Sequence, residues 1–352
     1  MPTISTDSYD IRIGDASALL SGFLQKSKYS KIFILTDENT RKYCLVKLQY
    51  ADIERLIVES ITPGEVHKTL STCQHIWSSM LDHRLDRDAL CINLGGGVVG
   101  DMGGFCAATY KRGIDFVQIP TSLLAQVDAS VGGKTGIDFR GAKNIIGAFA
   151  NPKAVIVDPT FLTTLPPREL LSGWAEVVKH ALISDAAYWD ELSQLHPHTI
   201  TDWQPIIERA IRIKSKIVAQ DPYEGGLRKI LNFGHTIGHA IESYSLAHDD
   251  TPMTHGAAVA AGMVAELALS SSVLGLPEAQ RDQVSAVLLE WFGKYDIAHA
   301  TEAIKANLLH DKKNANGNIH FVLLDAIGQA QYDCTATEEQ IDAALHYLNH
   351  GF

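Results

Sequence analysis

Leu90–Gly100 reads LCINLGGGVVG, an apolar run that opens into closely spaced glycines and then into a second apolar run. The first run is long and apolar enough for a buried strand, and Gly95, Gly97 and Gly100 form GxGxxG where it meets the helix that follows. That is the layout of a dinucleotide phosphate turn, where missing Cβ atoms admit the pyrophosphate and the helix offers unpaired N–H groups. The same pattern also serves simply to pack a helix on a sheet, so the neighbours must decide. The acidic residue that usually follows about 20 positions on is not evident, although Asp115 and Asp138 lie in that region. A better ribose-binding candidate lies upstream, where Lys31–Thr36 runs into Asp37, Glu38 and Asn39 at the C-terminal end of a strand.

Outward from this turn, strand-like and helix-like segments alternate, which predicts a parallel α/β sheet. Strands are expected at Tyr9–Ile13, Lys31–Thr36, Arg55–Val58, Ala89–Leu94, Phe116–Ile119 and Ala154–Val157, with helices at Ala16–Gln25, Thr40–Leu48 and Lys68–Leu81. After Pro159 the texture changes. Beyond Pro166 and Pro167 come helical patterns at Arg168–Ser184, Gln204–Gln220, Lys229–Ser245, His255–Leu274 and Glu278–Phe292. A late strand pair, Ile319–Leu324 and Ala330–Tyr332, precedes a last helix at Glu338–Leu348. Two domains are expected, residues 1–160 and 161–352.

The 352 residues carry 46% hydrophobic side chains and a formal net charge of −11, which disfavours nucleic acid as a partner and requires any anionic ligand to be held by local Lys and Arg. The opening MPTISTDSYD lacks a basic segment followed by an apolar run, and no stretch approaches the roughly 18 apolar residues of a membrane span, so a cytoplasmic protein is expected. Cys44, Cys73, Cys91, Cys106 and Cys334 are scattered, with no CxxC pair, as suits reduced thiols.

Three further stretches carry chemistry. Thr121–Asn144 places Asp128, Lys134, Lys143 and Asn144 in a glycine-rich loop after the nucleotide turn, and Arg112 adds a bidentate donor. No glycine stands five residues before Gly133, so GGKTG is not a P-loop. Gly173–His180 sets Glu176 and Lys179 three residues apart on one helix face, and His255 opens an apolar helix. Arg228–Ser243, RKILNFGHTIGHAIES, is expected to form one helix with His235 and His239 a turn apart, able to face one metal ion or one anion. Gly234 and Gly238 beside these histidines imply that something approaches the backbone closely. One carboxylate and two imidazoles make a common zinc set that leaves a position for substrate.

With these residues in place, the sequence resembles the 3-dehydroquinate synthase family. The resemblance runs from about Asp37 to Leu324 through PGEVHK, GGGVVGDMGGF, RGIDFVQIPTSLLAQVDASVGGKTGID, AKNIIGAF, FLTTLP, AEVVKH, EGGLRKILNFGHTIGHAIE, HG and DKKN. It implies a dehydroquinate synthase-like fold, a Rossmann-like α/β NAD domain followed by a mainly helical domain. It also implies action on 3-deoxy-D-arabino-heptulosonate 7-phosphate: a hydroxyl is oxidised at the expense of NAD, phosphate is eliminated, the hydride returns, and the ring opens and recloses as a carbocycle. Implied cofactors are NAD and zinc, with cobalt able to replace it, and a homodimer is implied.

Matched motif by motif, the family's metal ligands fall on Glu176, His235 and His255, whereas His239 matches a residue facing substrate. The NAD contacts match Asp37, Asn39, Glu65, Lys68, Gly95, Gly96, Gly97, Asp101, Thr121, Ser122, Lys143 and Thr164. The substrate set matches Asp128, Lys134, Asn144, Lys179, Lys214, Arg228, Asn232, His239 and Lys312, with Arg112 resembling a residue that reaches across a dimer interface. Of these, Arg228, with Lys214 and Asn232, suits the substrate carboxylate, and Lys134, Asn144, His239, Lys312 and Arg112 suit the leaving phosphate. Two departures stand out. Ala257 occupies a place where the family commonly has Glu or Gln after the metal histidine, and Ser245–Thr254 is idiosyncratic, which leaves open what supports His255. The rival readings are a cyclase making an inosose or valiolone, a metal-dependent polyol dehydrogenase that releases NADH, and a non-catalytic NAD- or metal-binding regulator.

Overall fold

The computed structural model describes residues 2–48, 56–140, 142–309 and 319–351. In chain order the elements begin β1 (Thr3–Ser5), β2 (Asp10–Ile13), α1 (Ala16–Leu24), β3 (Ile32–Asp37), α2 (Glu38–Tyr43), β4 (Leu56–Ile61), α3 (Leu70–Asp82), β5 (Leu90–Gly95), α4 (Gly97–Thr109), β6 (Asp115–Pro120), β7 (Lys134–Phe139), β8 (Ala142–Phe149) and β9 (Ala154–Val157). The second half holds α5 (Pro167–Ser184), α6 (Ala186–Leu192), α7 (Gln204–Gln220), α8 (His235–His248), α9 (His255–Leu274), α10 (Glu278–Phe292), α11 (Thr301–Leu309), β10 (Phe321–Ala326), β11 (Gln329–Cys334) and α12 (Glu338–His350). Two units result: Met1–Pro166 with Asp202–Ala219, and Pro167–Thr201 with Gln220–Phe352.

In the first unit the sheet runs β1-β2-β9-β6-β5-β3-β4, parallel throughout except for the antiparallel β1–β2 pair at its edge. Every residue of β5 is buried, as a central strand covered on both faces requires. Because β3 is flanked by β4 on one side and β5 on the other, the strand order reverses there, and the C-terminal ends of β3 and β5 form the crevice where open sheets bind ligands. That is why the acidic residue precedes the glycine turn: Asp37 closes β3 and Gly95 closes β5.

Packing of α4 onto this sheet depends on small residues. A Cβ on Gly103 would overlap the carboxamide of Asn93 and lie 2.9 Å from Leu35, and one on Gly104 would lie 2.5 Å from Thr135. Cys44, Cys73, Cys91 and Cys106 are buried free thiols, and burial pushes Cys44 up to about 11 and Cys91 up to about 12, so neither is a nucleophile at neutral pH.

The structure corrects three sequence expectations. The stretch read as a glycine-rich loop is a π-helical turn, Ala125–Ala129, followed by the antiparallel β7–β8 hairpin; π turns recur at functional sites. Lys229–Ser245 is not one helix. It breaks into a 3-10 turn, Leu227–Asn232, and α8, with Gly234 left-handed (φ 77) between them. Finally, α9 is long and apolar enough to cross a membrane by length and composition, yet 67% of its most apolar window is buried inside the protein, as befits the core helix of the second unit. Arg55, at the start of one expected strand, lies outside the described residues.

The glycine contacts predict a contrast. Gly103→Ala forces a methyl into the Asn93 site and should destabilise by about 1–3 kcal/mol, whereas Gly22→Ala in α1, with nothing within 4 Å of its Cβ, should be neutral or stabilising by up to about 1 kcal/mol. Urea denaturation of both variants checks it.

Candidate functional site

In the first unit, two glycines of the turn differ from their neighbours. A Cβ on Gly95 would press on Val99 at 2.5 Å, but Gly96 and Gly97 would meet only ordinary contacts, from Ser122 at 3.4 Å and Ala129 at 3.6 Å. No side chain caps α4 at Gly96, which leaves the first N–H groups of the helix without a side-chain acceptor, and Gly95, Gly96, Gly97, Asp101 and Gln118 line a small crevice beside them. Thr121 and Ser122 lie against the turn: Thr121 N–H donates to the Gly95 carbonyl at 3.0 Å, and Ser122 Oγ is 3.4 Å from where a Gly96 Cβ would stand. Asp37 closes β3, and one of its carboxylate oxygens accepts from Thr40 N–H at 2.7 Å in a capping box. Asn39 lies in α2 just beyond, and Thr164 ends the 3-10 turn Pro159–Thr164.

Lys68 is buried, with Nζ 2.7 Å from Asp101 and 2.6 Å from Asn144 Oδ1. Burial alone would lower its pKa, but Asp101 and Glu65 reverse this and hold the ammonium above its ordinary range. Asp101 is raised by burial and only partly offset by Lys68. Lys68 is therefore a neutralised strut tying α4 to the hairpin. Lys143 lies 3.7 Å from Glu65, Lys134 is exposed at the start of β7, and Asn144 has left-handed backbone (φ 50). Although α7 falls among the helices of the second half, it clusters with the first unit. Its Lys214 donates to the Asp128 carbonyl at 2.6 Å and sits 2.8 Å from the Asp128 carboxylate.

In the second unit, Glu176 on α5 is 1% exposed. Its Oε2 accepts from Lys179, one turn on, while Oε1 is buried without a hydrogen bond and lies 3.7 Å from Nε2 of both His235 and His255. Each histidine has its other nitrogen engaged: His235 Nδ1 with the Phe233 carbonyl at 3.1 Å, and His255 Nδ1 with Glu242 at 3.3 Å. Since a carbonyl and a carboxylate only accept, both Nδ1 atoms carry the proton and both Nε2 atoms present a lone pair. The 3.7 Å from the carboxylate oxygen to each imidazole nitrogen is close to the roughly 3.4 Å between ligands of a tetrahedral ion with bonds of about 2.1 Å. His239 joins them, the ligating atoms of His235, His239 and His255 lying within 4.8 Å of one another.

The close approach inferred from Gly234 and Gly238 is real, but the approaching group is α9. A Cβ on Gly234 would lie 2.8 Å from the Val259 carbonyl, one on Gly238 would lie 2.9 Å from that of Ala258, and one on Gly262 would overlap the Gly234 carbonyl. Glu266 of α9, fully buried, accepts from the N–H groups of Gly234 at 2.6 Å, Thr236 at 3.1 Å and Ile237 at 3.2 Å, and so caps α8 where His235 begins it. Arg228 is 1% exposed in the 3-10 turn, donating from Nη1 to the Pro222 carbonyl at 2.5 Å, and Asn232 donates to Glu224 at 2.9 Å. Lys312 lies outside the described residues.

Residues 58–172 match the model of the 3-dehydroquinate synthase N-terminal domain, and residues 173–314 that of the C-terminal domain. The 3-dehydroquinate synthase of Parabacteroides distasonis is 39% identical over 346 residues, 96% of this chain and 97% of its own. That of Halorhodospira halophila is 43% identical over 333 residues, 92% of each. The chain belongs to the 3-dehydroquinate synthase family. The fold is shared with sugar-phosphate cyclases: the 2-epi-5-epi-valiolone synthase ValA of Streptomyces hygroscopicus, solved with NAD+ and Zn2+, superposes with TM-score 0.84 at 26% identity, covering 99% of this chain and 98% of that one. A 2-deoxy-scyllo-inosose synthase, solved with carbaglucose-6-phosphate, NAD+ and Co2+, gives 0.85 at 22% identity, covering 98% and 99%. The α/β unit followed by a mainly helical one expected from the family motifs is thus the fold observed.

Sequence reasoning about this dehydroquinate synthase family member missed Glu266, Glu242, Gln118 and Ser172. A signal existed for the first: one carboxylate in the apolar helix HGAAVAAGMVAELALSSSVL must have buried partners. Glu266→Gln places an NH2 group against backbone donors and should destabilise the protein by about 2–4 kcal/mol. Chemical denaturation tests this, and a loss under about 0.5 kcal/mol, the range of an ordinary surface change, would show that the cap is dispensable.

Proposed function

We infer that the chain is a 3-dehydroquinate synthase, converting 3-deoxy-D-arabino-heptulosonate 7-phosphate to 3-dehydroquinate and phosphate in aromatic biosynthesis. The observation that carries this reading is the buried Glu176 oxygen, without a hydrogen bond and 3.7 Å from the lone-pair nitrogens of His235 and His255, in a chain 39% and 43% identical to 3-dehydroquinate synthases. Glu176, His235 and His255 hold zinc, or cobalt in its place, and the open end of α4 with Asp37, Asn39, Thr121, Ser122, Lys143 and Thr164 holds NAD. When bound, NAD accepts and returns the hydride, while the metal acidifies the reacting alcohol.

The chain's own residues do the rest. Lys179 donates to the outer oxygen of Glu176 and so keeps the carboxylate aimed. Asp128, bridged to Lys214, orders the segment before the hairpin that carries Lys134 and Asn144, and these two face the substrate phosphate. His239, one turn from His235, faces substrate, and Lys312 of the DKKN motif adds a further cation. Arg228, with Asn232, receives the substrate carboxylate, the group that distinguishes this substrate from those of the inosose and valiolone cyclases. The protein works as a cytoplasmic homodimer. Lys111 and Arg112, exposed in a turn with left-handed backbone (φ 51 and 69), present Arg112 outward to a second copy.

Incubation with the heptulosonate phosphate and a catalytic amount of NAD, followed by NMR and phosphate release, should give one phosphate per carbocycle with no accumulation of NADH absorbance. Stoichiometric NADH would instead identify a polyol dehydrogenase. Arg228→Lys keeps the charge but not the planar fork, and losing a charge-assisted pair of about 1.5–3 kcal/mol should lower kcat/KM by roughly ten- to a hundred-fold. NAD and zinc binding should stay unchanged. An unaltered preference over a carboxylate-free sugar phosphate would overturn this role.

A further inference from the structure

We propose that Glu242 is the positioning residue of the metal centre, fixing the tautomer and aim of His255. The inference rests on the reading of Glu176, His235 and His255 as metal ligands. Glu242 sits on α8 seven residues after His235 and three after His239, so all three occupy one face of the helix. Its carboxylate is buried, with the residue 4% exposed, and its Oε2 lies 3.3 Å from Nδ1 of His255 at the start of α9.

The two histidines are held by different means. His235 finds its Nδ1 acceptor locally, in the Phe233 carbonyl two residues back, so the turn that places the ring also orients it. His255 is the first residue of α9, and its side chain, 31% exposed, is the more exposed of the two. The residues following it offer no polar side chain: Gly256 is pinned through its N–H to Ser172 Oγ at 3.0 Å, and Ala257 spends its N–H on the Thr254 cap. Orientation of His255 therefore comes from α8.

An ionised carboxylate can only accept, so Nδ1 must donate to it, and Nε2 is left as the lone-pair nitrogen facing Glu176. A carboxylate behind a ligating imidazole also raises the basicity of the ligand. The contact accounts for a buried acid on α8, where a carboxylate without a partner would be strongly disfavoured.

The test uses the full chain, with zinc affinity measured by chelator competition, the visible spectrum of the cobalt-loaded protein, and the melting temperature of the metal-free form. Glu242→Gln should weaken zinc binding by roughly ten- to a hundred-fold and shift the cobalt bands, while the metal-free melting temperature stays within about 2 °C of wild type. Glu242→Leu should weaken binding further, and where it fails to fold, the isosteric Gln variant decides. Zinc affinity within about twofold of wild type in Glu242→Gln would overturn the inference. So would a weaker affinity accompanied by a matching loss of metal-free stability and an unchanged cobalt spectrum. His235→Ala is measured alongside. If wild type binds zinc no better than His235→Ala, the metal reading itself is wrong and this inference falls with it; if wild type binds and His235→Ala does not, the Glu242 result stands on its own.

Discussion

In the second unit a fully buried carboxylate, Glu266, receives the N–H groups of Gly234, Thr236 and Ile237, and the rest of the centre is arranged around that contact. A helix that starts inside a protein exposes backbone donors to a medium without water, and those donors must find acceptors. Here the acceptor comes from the neighbouring helix rather than from a local cap, which fixes α8 against α9 as well as satisfying it. The close approach that results is possible only because Gly234, Gly238 and Gly262 carry no Cβ. His235 is the first residue of α8 and His255 the first of α9, so the contact that registers the two helices also registers the two imidazoles.

Charge is treated differently in the two units. Lys68 and Lys214 of the first are each buried and matched to an aspartate, Asp101 and Asp128, so they hold backbone segments in place. In the second, Glu176 divides its labour by atom: one oxygen is neutralised by Lys179, and the other is held without a hydrogen bond among imidazole nitrogens. Burying an oxygen acceptor in that way is unfavourable unless a cation completes it.

Much of this was legible in the residues themselves. Periodicity located β2, β3, β5, β6 and β9 and most of the long helices, because a parallel strand covered on both faces must be apolar throughout and a packed helix must repeat its apolar face. The glycine turn, and the acidic residue upstream of it, were readable as chemistry before any topology was known. What could not be read was which glycines are needed for packing: Gly96 and Gly97 would meet only ordinary contacts, while Gly103 and Gly104 admit Asn93 and Thr135.

By itself the sequence determined the family and the class of fold, since these rest on local order: spacing along a strand or helix, and motifs in register along the chain. Only the tertiary structure decided that Arg228–Ser243 breaks at Gly234, that α7 belongs with the first unit rather than with the helices around it in sequence, and that Glu242 and Glu266 stand behind the histidines. Each of those depends on an acceptor or a packing surface supplied by a segment distant in the chain: Glu266 lies 32 residues from Gly234, and Lys214 lies 86 from Asp128. A local pattern can reveal that a buried carboxylate or a mid-helix glycine needs a partner, but the partner's identity is set where the chain folds back on itself.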